Sequence, residues 1–90
     1  MSKAYFGHQI YEKKDYTERS LEKGEYDNSS FSNCNFSHSD LSKIIFTECT
    51  FKDCDFSTAK IFESAFKEAT FKNCKLLGLR FDTINDLKIY

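Results

Sequence analysis

The sequence predicts an all-β fold, a square-sided parallel β-helix of about three coils. Three observations carry this reading: a large apolar residue at every fifth position, a small residue two places before it, and similar side chains at positions twenty apart. Stepping by five from Tyr26 gives Phe31, Phe36, Leu41, Phe46, Phe51, Phe56, Ile61, Phe66, Phe71, Leu76 and Phe81. Two residues before these twelve stand Gly24, Ser29, Cys34, Ser39, Ile44, Cys49, Cys54, Ala59, Ser64, Ala69, Cys74 and Leu79, ten of them small. The other places are mostly Ser, Thr, Asn, Asp, Glu and Lys.

A five-residue period fits neither common element. On an α-helix, five steps of about 100° would send successive Phe side chains spiralling round the axis. On a flat strand, side chains alternate, and an odd step would throw consecutive Phe to opposite faces. A backbone that turns a quarter circle every five residues keeps the large residue and the small one before it pointing at a common axis. Four such sides close a coil, and coils stack at about 4.8 Å with parallel hydrogen bonding.

The elements follow in chain order. Residues 1–23 are expected as an N-terminal capping segment, in which Tyr5, Phe6, Ile10, Tyr11, Tyr16 and Leu21 lay an extended strand or irregular plug over the first coil, because an open solenoid end invites aggregation. Gly24 turns the chain inward. Residues 24–83 form the β-helix, with inward columns Phe36, Phe56, Leu76 beside Cys34, Cys54, Cys74, and Leu41, Ile61, Phe81 beside Ser39, Ala59, Leu79. The other two sides hold Tyr26, Phe46, Phe66 and Phe31, Phe51, Phe71. Residues 84–90 are a tail in which Ile84, Leu87, Ile89 and Tyr90 are apolar enough to dock.

Composition narrows the function classes. The 90 residues carry 13 Lys and Arg against 14 Asp and Glu, a net charge of -1, which gives no basic footprint for direct nucleic-acid binding. No apolar run is long enough for a signal peptide or a membrane span, so the expected compartment is cytoplasmic. There thiols stay reduced, and the cysteine spacings of 15, 5 and 20 residues contain no zinc-ligand pair. Cys34, Cys54 and Cys74 read as small core fillers. His8 falls in the N-terminal segment and His38 at a corner, with no nucleophile positioned beside either, and no Gly-rich phosphate loop is present. The sequence therefore predicts no enzyme, no cofactor and no metal.

Runs such as Asn33-Cys34-Asn35-Phe36-Ser37, His38-Ser39-Asp40-Leu41-Ser42 and Asp53-Cys54-Asp55-Phe56-Ser57 resemble the pentapeptide-repeat family over about sixty residues. The resemblance implies a right-handed quadrilateral parallel β-helix. The stretch from Asp15-Tyr16-Thr17 to Gly78-Leu79-Arg80-Phe81-Asp82 is similar to the N-terminal part of longer members of the quinolone-resistance branch. That likeness implies either a homodimer joined through the C-terminal rim or a truncated form of such a longer member, and the homodimer is the expectation.

Two functions are expected from these readings. One is a non-enzymatic scaffold for protein–protein interaction. The alternative, implied by the resemblance, is a DNA-mimicking binder of DNA gyrase or topoisomerase that gives quinolone protection. Mimicry needs an extended acidic surface, and residues 24–83 hold nine Asp and Glu against seven Lys and Arg. Ile45, Phe62 and Ala65 are expected to face outward as one apolar patch, the candidate interface.

Overall fold

The computed structural model describes residues 4–79 and 88–89. The chain winds as a right-handed quadrilateral β-helix whose strands are three residues long, except for a two-residue strand at Lys88–Ile89. The first side stacks β1 (Tyr5–Gly7), β3 (Glu25–Asp27), β5 (Ile45–Thr47) and β7 (Ala65–Lys67) in parallel. The second stacks β2 (Ile10–Glu12), β4 (Ser30–Ser32), β6 (Thr50–Lys52), β8 (Thr70–Lys72) and β9 (Lys88–Ile89). From β1 to β8 the register steps by twenty: Phe6 stands beside Tyr26, Tyr26 beside Phe46, Phe31 beside Phe51 and Phe51 beside Phe71.

The other two sides are held by single bridges, Asp15 to Asn35 to Asp55 to Lys75 and Asp40 to Lys60. The residue before the inward side chain decides the difference. On the first two sides it includes Ile45, Thr50 and Thr70, whose branched side chains favour extended backbone. On the others it is often Asp or Asn, whose side-chain oxygen accepts the N–H two residues on, as in Asn35 to Ser37 (2.9 Å), Asp40 to Ser42 (3.0 Å) and Asp55 to Ser57 (2.9 Å). Turn bonds follow, from the Ser39 N–H to the Phe36 carbonyl and from Ala59 to Phe56.

Corners recur every five residues in the left-handed region. Among the described residues, twelve non-glycine residues have positive φ, from His8 (54°) and Lys13 (55°) through Asn28, Asn33, His38 and so on to Asn73 (56°). Asn and Asp tolerate this conformation, whereas Glu48 and Thr58 adopt it because the hydrogen-bonded neighbours on both sides fix the backbone there.

Aromatic rings fill the axis. Phe6, Tyr26, Phe46 and Phe66 stack at 4.7, 5.5 and 5.0 Å, and Tyr11, Phe31, Phe51 and Phe71 at 4.6, 5.0 and 5.0 Å. Tyr16, Phe36 and Phe56 stack at 4.9 and 4.8 Å. Columns meet edge to face, as Phe46 meets Phe51 at 78°. From Phe31 to Phe71 the predicted stack is buried except for Ile61, which is half-buried, as is Leu76; Phe81 lies outside the described residues.

The N-terminal segment differs from the expected plug. Residues 5–12 are extended, but they continue the coil one turn back: β1 pairs with β3 and β2 with β4. Phe6, Tyr11, Tyr16 and Leu21 hold the same five-residue phase as Tyr26, so the ladder begins at Tyr5 rather than Gly24. Between residues 17 and 23 the chain leaves the coil, and neither Glu18 nor Lys23 adopts the corner conformation. Lys23 compensates by donating from Nζ to the carbonyls of Asp40 (3.0 Å) and Ser42 (2.8 Å), which face no strand on that side.

This departure has a cost at Ser39. At several other small inward positions the side chain donates to the carbonyl 23 residues back, as Ser64 does to Leu41 and Cys54 to Phe31. For Ser39 that carbonyl belongs to Tyr16, where the chain turns away, and the buried Ser39 hydroxyl has no hydrogen-bond partner among the described residues. Ala59 fills the matching place one coil on. Ser39→Ala is therefore expected to raise stability by about 1 kcal/mol in urea denaturation. A loss of that size would mean the hydroxyl is satisfied.

At the other end β9 joins β8 with Thr70 beside Lys88 and Phe71 beside Ile89, a step of eighteen instead of twenty. Part of the predicted tail 84–90 thus adds a strand; its remaining residues lie outside the described ones.

Candidate functional site

The small inward residues carry the buried thiols. Cys34 Sγ donates toward the carbonyls of Tyr11 (3.6 Å) and Ser32 (3.4 Å), Cys54 toward Phe31 and Lys52 (both 3.3 Å), and Cys74 toward Phe51 (3.2 Å) and Lys72 (3.4 Å). Cys54 is driven up from its ordinary value because its thiol sits between the Cys34 and Cys74 sulfurs, to either of which it can donate, and because it is buried. A sulfur receiving that S–H is pulled down, to about 7 for Cys34 or Cys74, but Cys54 has one proton and serves one neighbour at a time. All four cysteines are free, and Cys34, Cys49 and Cys54 are buried, so the column acts as packing rather than as an exposed nucleophile.

Cys49 sets an alkaline limit. Burial pushes its thiol up from 9.0 to about 11. An unfolded thiol ionises first, so Cys49 contributes its full stability below pH 9 and loses it as pH rises toward 11. Two units correspond to roughly 3 kcal/mol. The thermal midpoint under reducing conditions is expected to fall between pH 9 and 11, and more gently in Cys49→Ala; parallel curves for the two proteins would exclude this thiol.

Sequence reasoning missed one polar pair. His38 Nδ1 and Thr58 Oγ1, twenty residues apart at stacked corners, share a hydrogen bond. Both are exposed, and Thr58 Oγ1 also donates to the Ser57 carbonyl (2.7 Å). No hydrogen bond from a third residue orients the ring among the described residues, so this pair ties two coils together and lacks the relay a nucleophilic hydroxyl needs. Its signal was the twenty-residue spacing.

The outer sides carry the candidate interface. Ile45 and Ala65 stand in register on the first side, both half-buried, and Phe62, 70% exposed, lies across the corner at Glu63. Leu77 is also exposed. Charge is uneven along the axis. Coil 24–43 sets Glu25, Asp27 and Asp40 against Lys43, and coil 44–63 sets Glu48, Asp53, Asp55 and Glu63 against Lys52 and Lys60. Residues 64–79 reverse the sign, with Lys67, Lys72 and Lys75 against Glu68. Lys52 and Lys72 are directly adjacent.

A cavity of about 410 Å³ opens at the N-terminal rim, between the rings of Phe6, Tyr11, Tyr16 and Tyr26 and the departing segment at Arg19 and Leu21. Among the described residues no group of three His, Cys, Asp or Glu could hold a metal ion, and no helix is long and apolar enough to cross a membrane.

Comparison with known proteins agrees with the coil. Among solved structures, full-length QnrB1, a plasmid-mediated fluoroquinolone resistance protein, is similar at 30% identity with a TM-score of 0.55, over 79% of this chain and 34% of that one. The chain thus spans about a third of the length of that relative. Two trypsin-treated variants of QnrB1 match at 11% and 12% identity, with TM-scores of 0.43 and 0.44, covering 97% and 94% of this chain and 92% and 91% of theirs. A comparison with curated proteins yields no match. The family profile described as "Pentapeptide repeat region" matches residues 25–87, and those residues include β3 to β8 and the rings that fill them. The chain belongs to the pentapeptide-repeat family.

Proposed function

We propose that the chain is a non-enzymatic scaffold that binds a protein partner in the cytoplasm through the outer sides of its coil. The observation that carries this reading is the filled interior: every Phe from Phe31 to Phe56 is 0% exposed, so no cleft reaches the axis between them and the outer sides there are left to recognise a partner. The ladder holds those sides rigid, and the half-buried Ile45 and Ala65 with the exposed Phe62 supply an apolar anchor among charged neighbours. Homodimerisation through the C-terminal rim fits the exposure of Leu77 and Ile89, and sedimentation finding only monomer at high concentration would reject it.

A second reading is that the partner is DNA gyrase or topoisomerase and that binding protects it from quinolones. It is favoured by the 30% identity to QnrB1, a fluoroquinolone resistance protein. Against DNA mimicry stands the acidic excess, confined to two coils about 10 Å tall. A gyrase supercoiling assay with and without a fluoroquinolone separates the readings: restored supercoiling in the drug's presence supports the second, and no effect at saturating protein leaves a different protein as the scaffold's partner. Phe62→Ala is the control, since either partner docking on that patch would lose affinity.

A further inference from the structure

We propose that the N-terminal rim is a binding site for a planar aromatic carboxylate. The site lies away from the patch at Phe62, so it stands or falls separately from the scaffold reading.

The rim breaks the repeat in two ways. First, among the described residues the rings of the first coil are stacked on one side only: Phe6 on Tyr26, Tyr11 on Phe31 and Tyr16 on Phe36, at 4.6–4.9 Å. One coil further on, Tyr26, Phe31 and Phe36 each have a ring above and below. Phe6, Tyr11 and Tyr16 are accordingly half-buried and present ring surface to the cavity. A flat ring laid there continues a stack whose spacing the protein already sets.

Second, the small-residue rule fails at the rim. The positions two before Tyr11, Tyr16 and Leu21 hold Gln9, Lys14 and Arg19, where later coils have mostly Ser, Cys and Ala. Lys14 and Arg19 both line the cavity, both are exposed, and among the described residues neither is ion-paired. Two free cations at the edge of an aromatic floor suit a carboxylate carried on a flat ring. Two acids also line the cavity. Asp15 is engaged, accepting the Thr17 N–H (2.9 Å) and hydroxyl (2.6 Å), while Glu22 opposes an anion. Burial pushes the Tyr16 phenol up to about 12, so it stays neutral near pH 7 and adds no opposing charge.

The probe is 2-naphthoate, titrated into the full chain and followed by NMR, with 2-naphthylmethanol as its neutral counterpart. Saturable binding is expected, with ring-current shifts at Tyr11 and Tyr16 and affinity for the neutral compound roughly tenfold lower. Lys14→Gln and Arg19→Gln should each weaken naphthoate roughly threefold, and Glu22→Gln should tighten it roughly twofold. Unchanged far-ultraviolet circular dichroism of these surface variants excludes misfolding as the cause. The proposal is overturned by no saturation up to about 10 mM, by equal affinity for both compounds, by shifts centred on Phe62, or by sedimentation showing a second copy seated on this rim.

Discussion

Truncation of Phe51 to alanine is expected to lower the unfolding free energy by about 3–5 kcal/mol, the largest effect of any single side chain in this protein. Phe51 sits where the stacks cross. Its ring lies flat against Phe31 and Phe71, each at 5.0 Å, and meets Phe46 and Phe56 edge-on at 5.2 Å, with Phe36 and Phe66 at 6.3 and 6.2 Å. The ring is 0% exposed, so truncation both exposes its neighbours to a void and removes dispersion contacts on every side. The strands cannot close that void, because β6 is hydrogen-bonded in register to β4 and β8 and its spacing is set by the backbone. Phe62→Ala removes an equally large ring that is 70% exposed and should change stability by about 0.5 kcal/mol or less. Urea denaturation of the two variants compares an inward and an outward Phe of the same coil; equal losses would mean the rings do not share an interior.

Why the coil was legible from Tyr26 onward, and not before it, follows from particular residues. In the stretch Asn33 to Ser57 the small-residue and large-residue signals coincide, and together they exclude helix and flat strand. In the first coil Phe6, Tyr11, Tyr16 and Leu21 keep the phase, but Gln9, Lys14 and Arg19 replace the small residues, so half of the signal vanishes. Lys14 and Arg19 fit there because both are exposed and border the cavity instead of the filled interior. The site and the misread boundary therefore have one cause. The strand at Lys88–Ile89 was hidden differently, since a step of eighteen cannot be found by counting in fives. The His38–Thr58 bond follows the same twenty-residue column, but spacing alone does not fix the rotamers that bring two corner side chains together.

Gly24→Ala is expected to cost roughly 2–3 kcal/mol and to release the first coil before the rest. Gly24 is buried where the chain re-enters the coil after its excursion through residues 17–23. A Cβ there would lie 2.5 Å from the Ala4 carbonyl oxygen and 3.1 Å from the Ala4 carbonyl carbon and Cβ. Neither backbone can yield cheaply: the Ala4 oxygen accepts the Glu25 N–H at 2.9 Å, and the Gly24 carbonyl accepts from Ile45 at 3.1 Å. Relief must come from separating β1 from β3, which would also unstack Phe6 from Tyr26. Gly78→Ala provides the comparison. There φ is +82°, so alanine carries the left-handed penalty of about 1–2 kcal/mol, but its Cβ would approach nothing closer than 3.4 Å. Amide hydrogen exchange distinguishes the two mechanisms. In Gly24→Ala the amides of His8 and Glu25, which bond across the first interface, should lose protection while that of Asp53, bonded to the Lys72 carbonyl, keeps it. Uniform loss along the coil would instead mean that the four levels melt as one unit, and that the first coil is as firmly held as the ring-filled coils above it.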